Sequence, residues 1–182
     1  MTPSTSTPSA ELIEGLERLC TQGAFHVTEN QSGNLFYWYR LSEPEALTAA
    51  AELLAGAGAR LCTISAYDPK REHEHPRHEI AYHFDCGGTV VSVTIALAED
   101  NLRVPSISPF FRNADWNERE FKEMYAIEVV GLPNAKRLFL DEKLDAGIMN
   151  RIIPVSVLMN GASSKDLWER ILAMRADEEA QS

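Results

Sequence analysis

No C-x-x-C pair, glycine-rich phosphate loop, nucleophile elbow or membrane-length apolar run occurs in this 182-residue chain. Each gap removes a class of function. Cys20, Cys62 and Cys86 are odd in number and widely spaced, so they match neither a disulfide framework nor the paired ligands of a zinc or iron–sulfur site. Each reads as a small buried hydrophobe. Without G-x-x-x-x-G-K-[ST], G-x-G-x-x-G or G-x-S-x-G, no motif supports nucleotide binding or serine-hydrolase chemistry. The longest nearly uncharged apolar stretch, "GGTVVSVTIALA", is too short to cross a bilayer as a helix.

Positive charge is also scarce. Seventeen Lys and Arg face 27 Asp and Glu, a net charge of −10. That balance argues against nucleic acid, whose recognition needs a basic stripe, and against direct insertion into an anionic membrane surface. The opening "MTPSTSTPSA" is neither basic nor apolar, so no secretory signal is expected. Residues 1–9 are expected to be a disordered lead, and the protein is expected in the cytoplasm.

What is present fits one soluble domain. Hydrophobic residues make up 45% and charged residues 24%, an ordinary globular balance. "AELIEGLERLCTQG" places Leu12, Ile13, Leu16, Leu19 and Cys20 on one helical face, with Gly23 as its stop. "AFHVT" and "LFYWYRL" read as a hairpin about "ENQSGN". A second helix is expected in "SEPEALTAAAELLAGAG", with a Ser42–Glu45 capping box. Three strands follow, "ARLCTISAY", "HEIAYHFDC" and "TVVSVTIALA", the last two joined at Gly87-Gly88. "VPSISPFF" reads as a non-helical connector. A charged helix, an irregular stretch and an amphipathic helix in "SKDLWERILAMRA" complete the chain.

The expected fold is α+β: a mixed sheet of about five strands with helices on one face, in the order α-β-β-α-β-β-β-α plus a C-terminal helix. The domain is expected over residues 10–160, with the helix and tail over 161–182.

The charged helix, "NADWNEREFKEMY", packs five charges into six positions from Glu118 to Glu123. An exposed, salt-bridged helix needs nothing more: Asp115 would cap it, Glu118 would reach back to the cap, and Glu118 would pair with Lys122. A catalytic pair of carboxylates, Glu118 and Glu120, would need pKa values driven apart by burial. No nucleophile, metal or phosphate loop accompanies them. Residues 112–151 hold seven Lys/Arg and eight Asp/Glu, and such dense, mixed charge also suits a specific protein contact.

From "VPSIS" onward, "VPSISPFFRNADWNEREFKEMYAIEVVGLPNAKRLFL" resembles the signature of the 30-kDa subunit family of respiratory complex I, the NADH-quinone oxidoreductase. The matching positions are Trp116, Glu118-Arg119-Glu120, Glu123, Met124-Tyr125 and Arg137-Leu138, and the resemblance covers roughly residues 55–140. It implies a non-catalytic scaffold subunit of the peripheral arm of a complex-I-like oxidoreductase, on the cytoplasmic face of the membrane. Such a subunit binds no cofactor itself. It would dock on the large quinone-site or NiFe subunit and on iron–sulfur subunits, and the partners would carry the iron–sulfur clusters and the NiFe centre or flavin. The implied interface comprises Trp116, Glu118, Arg119, Glu120, Glu123, Lys136 and Arg137.

The chain departs from the family pattern at three points: Glu123 replaces an Asp, Ala126 a Gly and Leu132 a His. "GIMNRIIPVSVLMNG" also stands where complex I members carry a Pro-Leu-Arg-Lys-Asp run. These departures tilt the expectation toward the membrane-bound [NiFe] hydrogenase branch. An alternative of another class is a stand-alone metal-binding module using the loop from His73 to His83, which also holds His75 and His78. Closely spaced His and Glu suit zinc or nickel, although a flexible polar loop does not preorganise a tetrahedral site.

Overall fold

The structure, a computed structural model, describes residues 8–68, 77–98, 100–141 and 144–150. The expected C-terminal helix, most of the N-terminal lead, His73 and His75 lie outside the described residues. The described chain runs α1 (Ala10–Leu19), β1 (Cys20–Glu29), β2 (Leu35–Leu41), α2 (Ala46–Gly56), β3 (Arg60–Tyr67), β4 (Arg77–Cys86), β5 (Thr89–Ala98), β6 (Arg103–Pro105), α3 (Ala114–Tyr125) and β7 (Glu128–Val130), then a 3-10 turn at Ile148–Asn150.

Five strands form one mixed sheet in the order β1-β2-β5-β4-β3. β2 and β5 pair in parallel, and the other neighbours are antiparallel. Strand side chains alternate between faces, and one face here is apolar. Tyr37, Tyr39, Ile80, Tyr82, Phe84, Val91, Val93, Ile95 and Leu97 are buried there with Leu12 and Leu16 of α1 and Leu47, Ala50 and Leu54 of α2. The opposite face carries Trp38, Arg40, Glu79, His83, Ser92 and Thr94 in register.

The α+β layout and the strand count agree with expectation, and five local readings are corrected. Cys62 is exposed and Cys20 and Cys86 are half-buried, so none of the three is a fully buried hydrophobe. α1 stops at Leu19 rather than near Gly23, because the chain enters β1 at Cys20 and crosses a register shift before Phe25. The Ser42–Glu45 box does not form: α2 begins at Ala46, and the Ser42 hydroxyl donates to the Leu19 carbonyl at 3.2 Å. Asp115 does not cap α3, which begins one residue earlier after Asn113; it pairs instead with Arg119 at 3.7 Å. β6 and β7 form a small parallel pair that three-residue strands are too short to announce.

α3 ends on Ala126 in the left-handed region, φ 56°. Its Cβ meets steric resistance there that glycine avoids, and glycine is the usual residue at such a helix end. Ala126→Gly is expected to stabilise the fold by about 1 kcal/mol, read from the urea midpoint of the two proteins. A lower midpoint would mean that the Cβ contributes more by packing than it costs in strain.

Candidate partner-docking site

α3 turns four sets of side chains in four directions, and the outward set carries an apolar anchor. Toward the core goes Glu118, which is 0% exposed. Its carboxylate accepts from the Ser106 hydroxyl at 2.6 Å and the Ile107 amide at 2.7 Å. Ser106 and Ser108 meet at 2.6 Å. Burial pushes the Glu118 carboxyl above its ordinary pKa, and the Ser106 and Ile107 donors pull it back only in part. Glu118 therefore neither reaches back to cap its helix nor pairs with Lys122, and a wholly buried side chain touches no partner.

Toward the segment after β7 go Arg119, Lys122 and Glu123. Arg119 donates to the carbonyls of Lys136 at 2.8 Å and Arg137 at 2.7 Å. Lys122 reaches the Ala135 carbonyl at 3.4 Å. Glu123, only 5% exposed, receives the amides of Leu138, Phe139 at 2.9 Å and Leu140 at 3.2 Å. Burial alone would push this carboxyl up. The three amides and the Arg137 guanidinium outweigh burial and hold it below the ordinary carboxylate range. Arg137 in turn donates to the carbonyls of Asp141, at 2.7 Å, and Leu144.

The end of α3 is fastened separately. The Gly147 amide donates to the Glu123 carbonyl at 2.7 Å, and the Asn150 amide nitrogen Nδ2 to the Tyr125 carbonyl at 2.9 Å. These satisfy carbonyls that a helix end otherwise leaves open. Asn150 Oδ1 also meets His78 Nε2 at 2.9 Å, which ties this corner to β4.

Outward goes Trp116, 57% exposed, edge-on to Phe139, 56% exposed, with ring centroids 5.9 Å apart. Each ring sits on an element braced from behind, Trp116 on α3 and Phe139 on the loop that Glu123 and Arg119 grip. A rigid, solvent-facing aromatic pair is characteristic of a binding anchor. Lys136 and Arg137 are exposed beside it.

Of the seven residues expected at an interface, the structure thus leaves Trp116, Lys136 and Arg137 on the surface. Arg119 is largely enclosed, at 13% side-chain exposure. Glu118 and Glu123 are internal because their carboxylates accept backbone amides that other parts of the chain bring to them. Glu120 lines a groove on the opposite flank of α3. Phe139 escapes the sequence reading, although it stands next to the Arg137-Leu138 ending of the signature.

The histidine loop does not converge on one centre among its described members. His78 lies on the core face of β4, and His83 lies on the other face, with Nδ1 2.9 Å from the Ser92 hydroxyl. Five residues apart on a strand is an odd spacing, which sends two side chains to opposite faces. Burial also lowers the His83 pKa. These two histidines cannot share a metal. Among the described residues no helix is long and apolar enough to cross a membrane.

Residues 41–151 match the family described as respiratory-chain NADH dehydrogenase, 30 Kd subunit. A 64-residue stretch is 34% identical to the C/D subunit of NADH-quinone oxidoreductase from Erwinia tasmaniensis, covering 35% of this chain and 11% of that protein. The corresponding protein of Salmonella typhimurium is 33% identical over 64 residues, covering 35% and 11%. The chain thus matches only a small part of the length of these curated relatives. Among solved structures, a trypsin-resistant fragment of Nqo5 superposes with a TM-score of 0.51 at 19% identity, covering 68% of this chain and 96% of the fragment. The membrane-bound sulfane sulfur reductase, an archaeal respiratory membrane complex, contains a chain with a TM-score of 0.57 at 13% identity, covering 85% of this chain and 91% of that one. At these identities the two superpositions speak for the fold alone.

Proposed function

The chain belongs to the family of the 30-kDa subunit of respiratory-chain NADH dehydrogenase, and from that membership we propose that it is a non-catalytic scaffold subunit in the peripheral arm of a complex-I-like oxidoreductase. It holds neighbouring subunits in place and leaves electron transfer to them. The large quinone-site subunit and adjacent iron–sulfur subunits are its partners, and the clusters and flavin are theirs. It sits on the cytoplasmic face of the membrane through those partners. The tilt toward the [NiFe] hydrogenase branch finds no support among these relatives, which are NADH-quinone oxidoreductase subunits.

The observation that carries this reading is the outward Trp116–Phe139 pair, Trp116 on α3 and Phe139 on a loop clamped from within. Six hydrogen bonds made by three α3 side chains hold that loop, and all six end on its backbone. Such a brace is what an anchor needs, since ordering a loop in advance lowers the entropy cost of association.

The test is purification of the tagged chain from gently solubilised membranes of its native host, with metal and flavin analysis of the eluate. Wild type should bring down iron–sulfur subunits and the large subunit. Trp116→Ser with Phe139→Ser should reduce that recovery at least about tenfold, because buried aromatic anchors each contribute about 2 kcal/mol or more. Its far-UV circular dichroism should not change, because both rings are exposed. Recovery of the wild-type chain alone, under conditions where other respiratory complexes survive, would reject the scaffold reading.

A further inference from the structure

The flank of α3 turned away from the Phe139 loop faces an open strand. Among the described residues β3 is the last strand of the sheet, with a sheet neighbour on one side only, β4. Between its residues Ile64, Ser65 and Ala66 and the α3 residues Asn117, Glu120 and Met124 lies a groove of about 370 Å³. The Leu61 carbonyl is already taken by the Asn113 side-chain amide at 3.0 Å, and the strand is irregular between Leu61 and Thr63. The usable edge therefore runs from Thr63 to Ala66. An exposed strand edge is a template for a further strand, and this one lies above an apolar floor that includes Met124 and Met149, the latter 57% exposed.

The charges of α3 are sorted about this groove. Its cations Arg119 and Lys122 are bound to carbonyls on the other flank. Glu120 lies on the groove side, and among the described residues no hydrogen bond or ion pair involves it. Burial first, and then the charges of Asp68 and Glu120, raise the Tyr125 hydroxyl pKa. Glu120 makes the rim acidic, and Phe121, Met124 and Met149 make the floor apolar.

We infer that the β3 edge and this groove receive an extended segment of a neighbouring subunit, a strand with apolar side chains alternating with Lys or Arg. It pairs with Thr63–Ala66, puts its apolar side chains onto Met124 and Phe121, and sets a cation against Glu120. Main-chain pairing supplies affinity in such an arrangement, and the pocket beneath alternate side chains supplies selectivity. A second copy of this chain is disfavoured, because pairing β3 with itself would bring two acidic rims together. The inference rests on the scaffold reading and adds to it a second contact with a partner of defined chemistry.

The test incorporates the photo-crosslinking residue benzoylphenylalanine at Ser65 in one full-length variant and at Phe139 in another, irradiates native membranes, and maps the adducts by mass spectrometry. The expected result is a Ser65-position adduct on a non-helical, Lys- or Arg-bearing segment of a co-purifying subunit. Glu120→Lys should reduce that adduct at least tenfold and leave the Phe139-position adduct unchanged. An adduct from position 139 with none from 65 overturns the groove assignment and spares the scaffold reading. So does a position-65 adduct on an acidic segment, on a helix or on a second copy, or one indifferent to Glu120→Lys. Failure at both positions removes the scaffold reading, and the groove assignment goes with it.

Discussion

Glu118→Ala is expected to destabilise the fold by about 4 kcal/mol, through a cavity in the core and the loss of an acceptor for the Ile107 amide and the Ser106 hydroxyl. That is a large part of the roughly 5–15 kcal/mol that holds a domain together. Glu118→Gln should behave in the opposite way at neutral pH. An amide oxygen still accepts from Ile107, and its NH2 group can donate to Ser106 Oγ. The sign follows from the raised folded-state pKa of Glu118. Its contribution is fully present below the unfolded value of about 4.3 and is lost as pH rises through the higher folded value. Wild type should therefore lose stability relative to Glu118→Gln as pH climbs from about 4, and run parallel to it above the folded value. Urea unfolding of the two proteins across that range measures the difference directly. A curve of the reverse slope would mean that the Ser106 and Ile107 donors outweigh burial.

Further along the same helix, Glu123 should show the opposite linkage. Its folded-state pKa is lowered, so its contribution is present above about 4.3 and is lost as pH falls through the folded value. Glu123→Ala is expected to lower global stability by about 2 kcal/mol. That figure is less than three charge-assisted bonds suggest, because a released surface loop finds water. The larger effect is local. The amides of Leu138, Phe139 and Leu140 should exchange with deuterium at least about tenfold faster, a change of about 1.4 kcal/mol in local opening. Partner recovery should fall with it, since Phe139 no longer stands against Trp116. Unchanged exchange at these three amides would mean that Arg119 and Arg137 hold the loop without Glu123.

Two glutamates of one charged run thus have opposite pKa shifts, and neither faces solvent. Nothing in their spacing along the chain distinguishes them. The run reads equally as an exposed salt-bridged helix, as a docking face or as a catalytic pair, because the identity of a carboxylate does not reveal what is brought up to it. Glu118 is met by Ser106 and Ile107, and Glu123 by Leu138 to Leu140, from opposite ends of the neighbouring sequence. The capping box at Ser42 fails for a related reason. A local pattern competes with whatever the fold supplies, and here the Leu19 carbonyl takes the Ser42 hydroxyl.

Other features are open to reading. The Gly87-Gly88 hairpin, both residues at positive φ, follows from the one turn chemistry that fits two closely spaced strands. The alternating apolar residues of β4 and β5 specify which face is buried. The left-handed end of α3 is legible at Ala126, where the family carries glycine, and φ 56° agrees with it.

By itself, then, the sequence determined the α+β class, the number of sheet strands, the charged helix and the family, since periodicity, turn chemistry and a long signature are all properties of neighbouring residues. Tertiary structure decided the strand order, with β5 between β2 and β4. It also decided which charges of α3 are braces and which are free to meet a partner. Those are properties of residues far apart in the chain, and only the packing of the sheet against its helices brings them together.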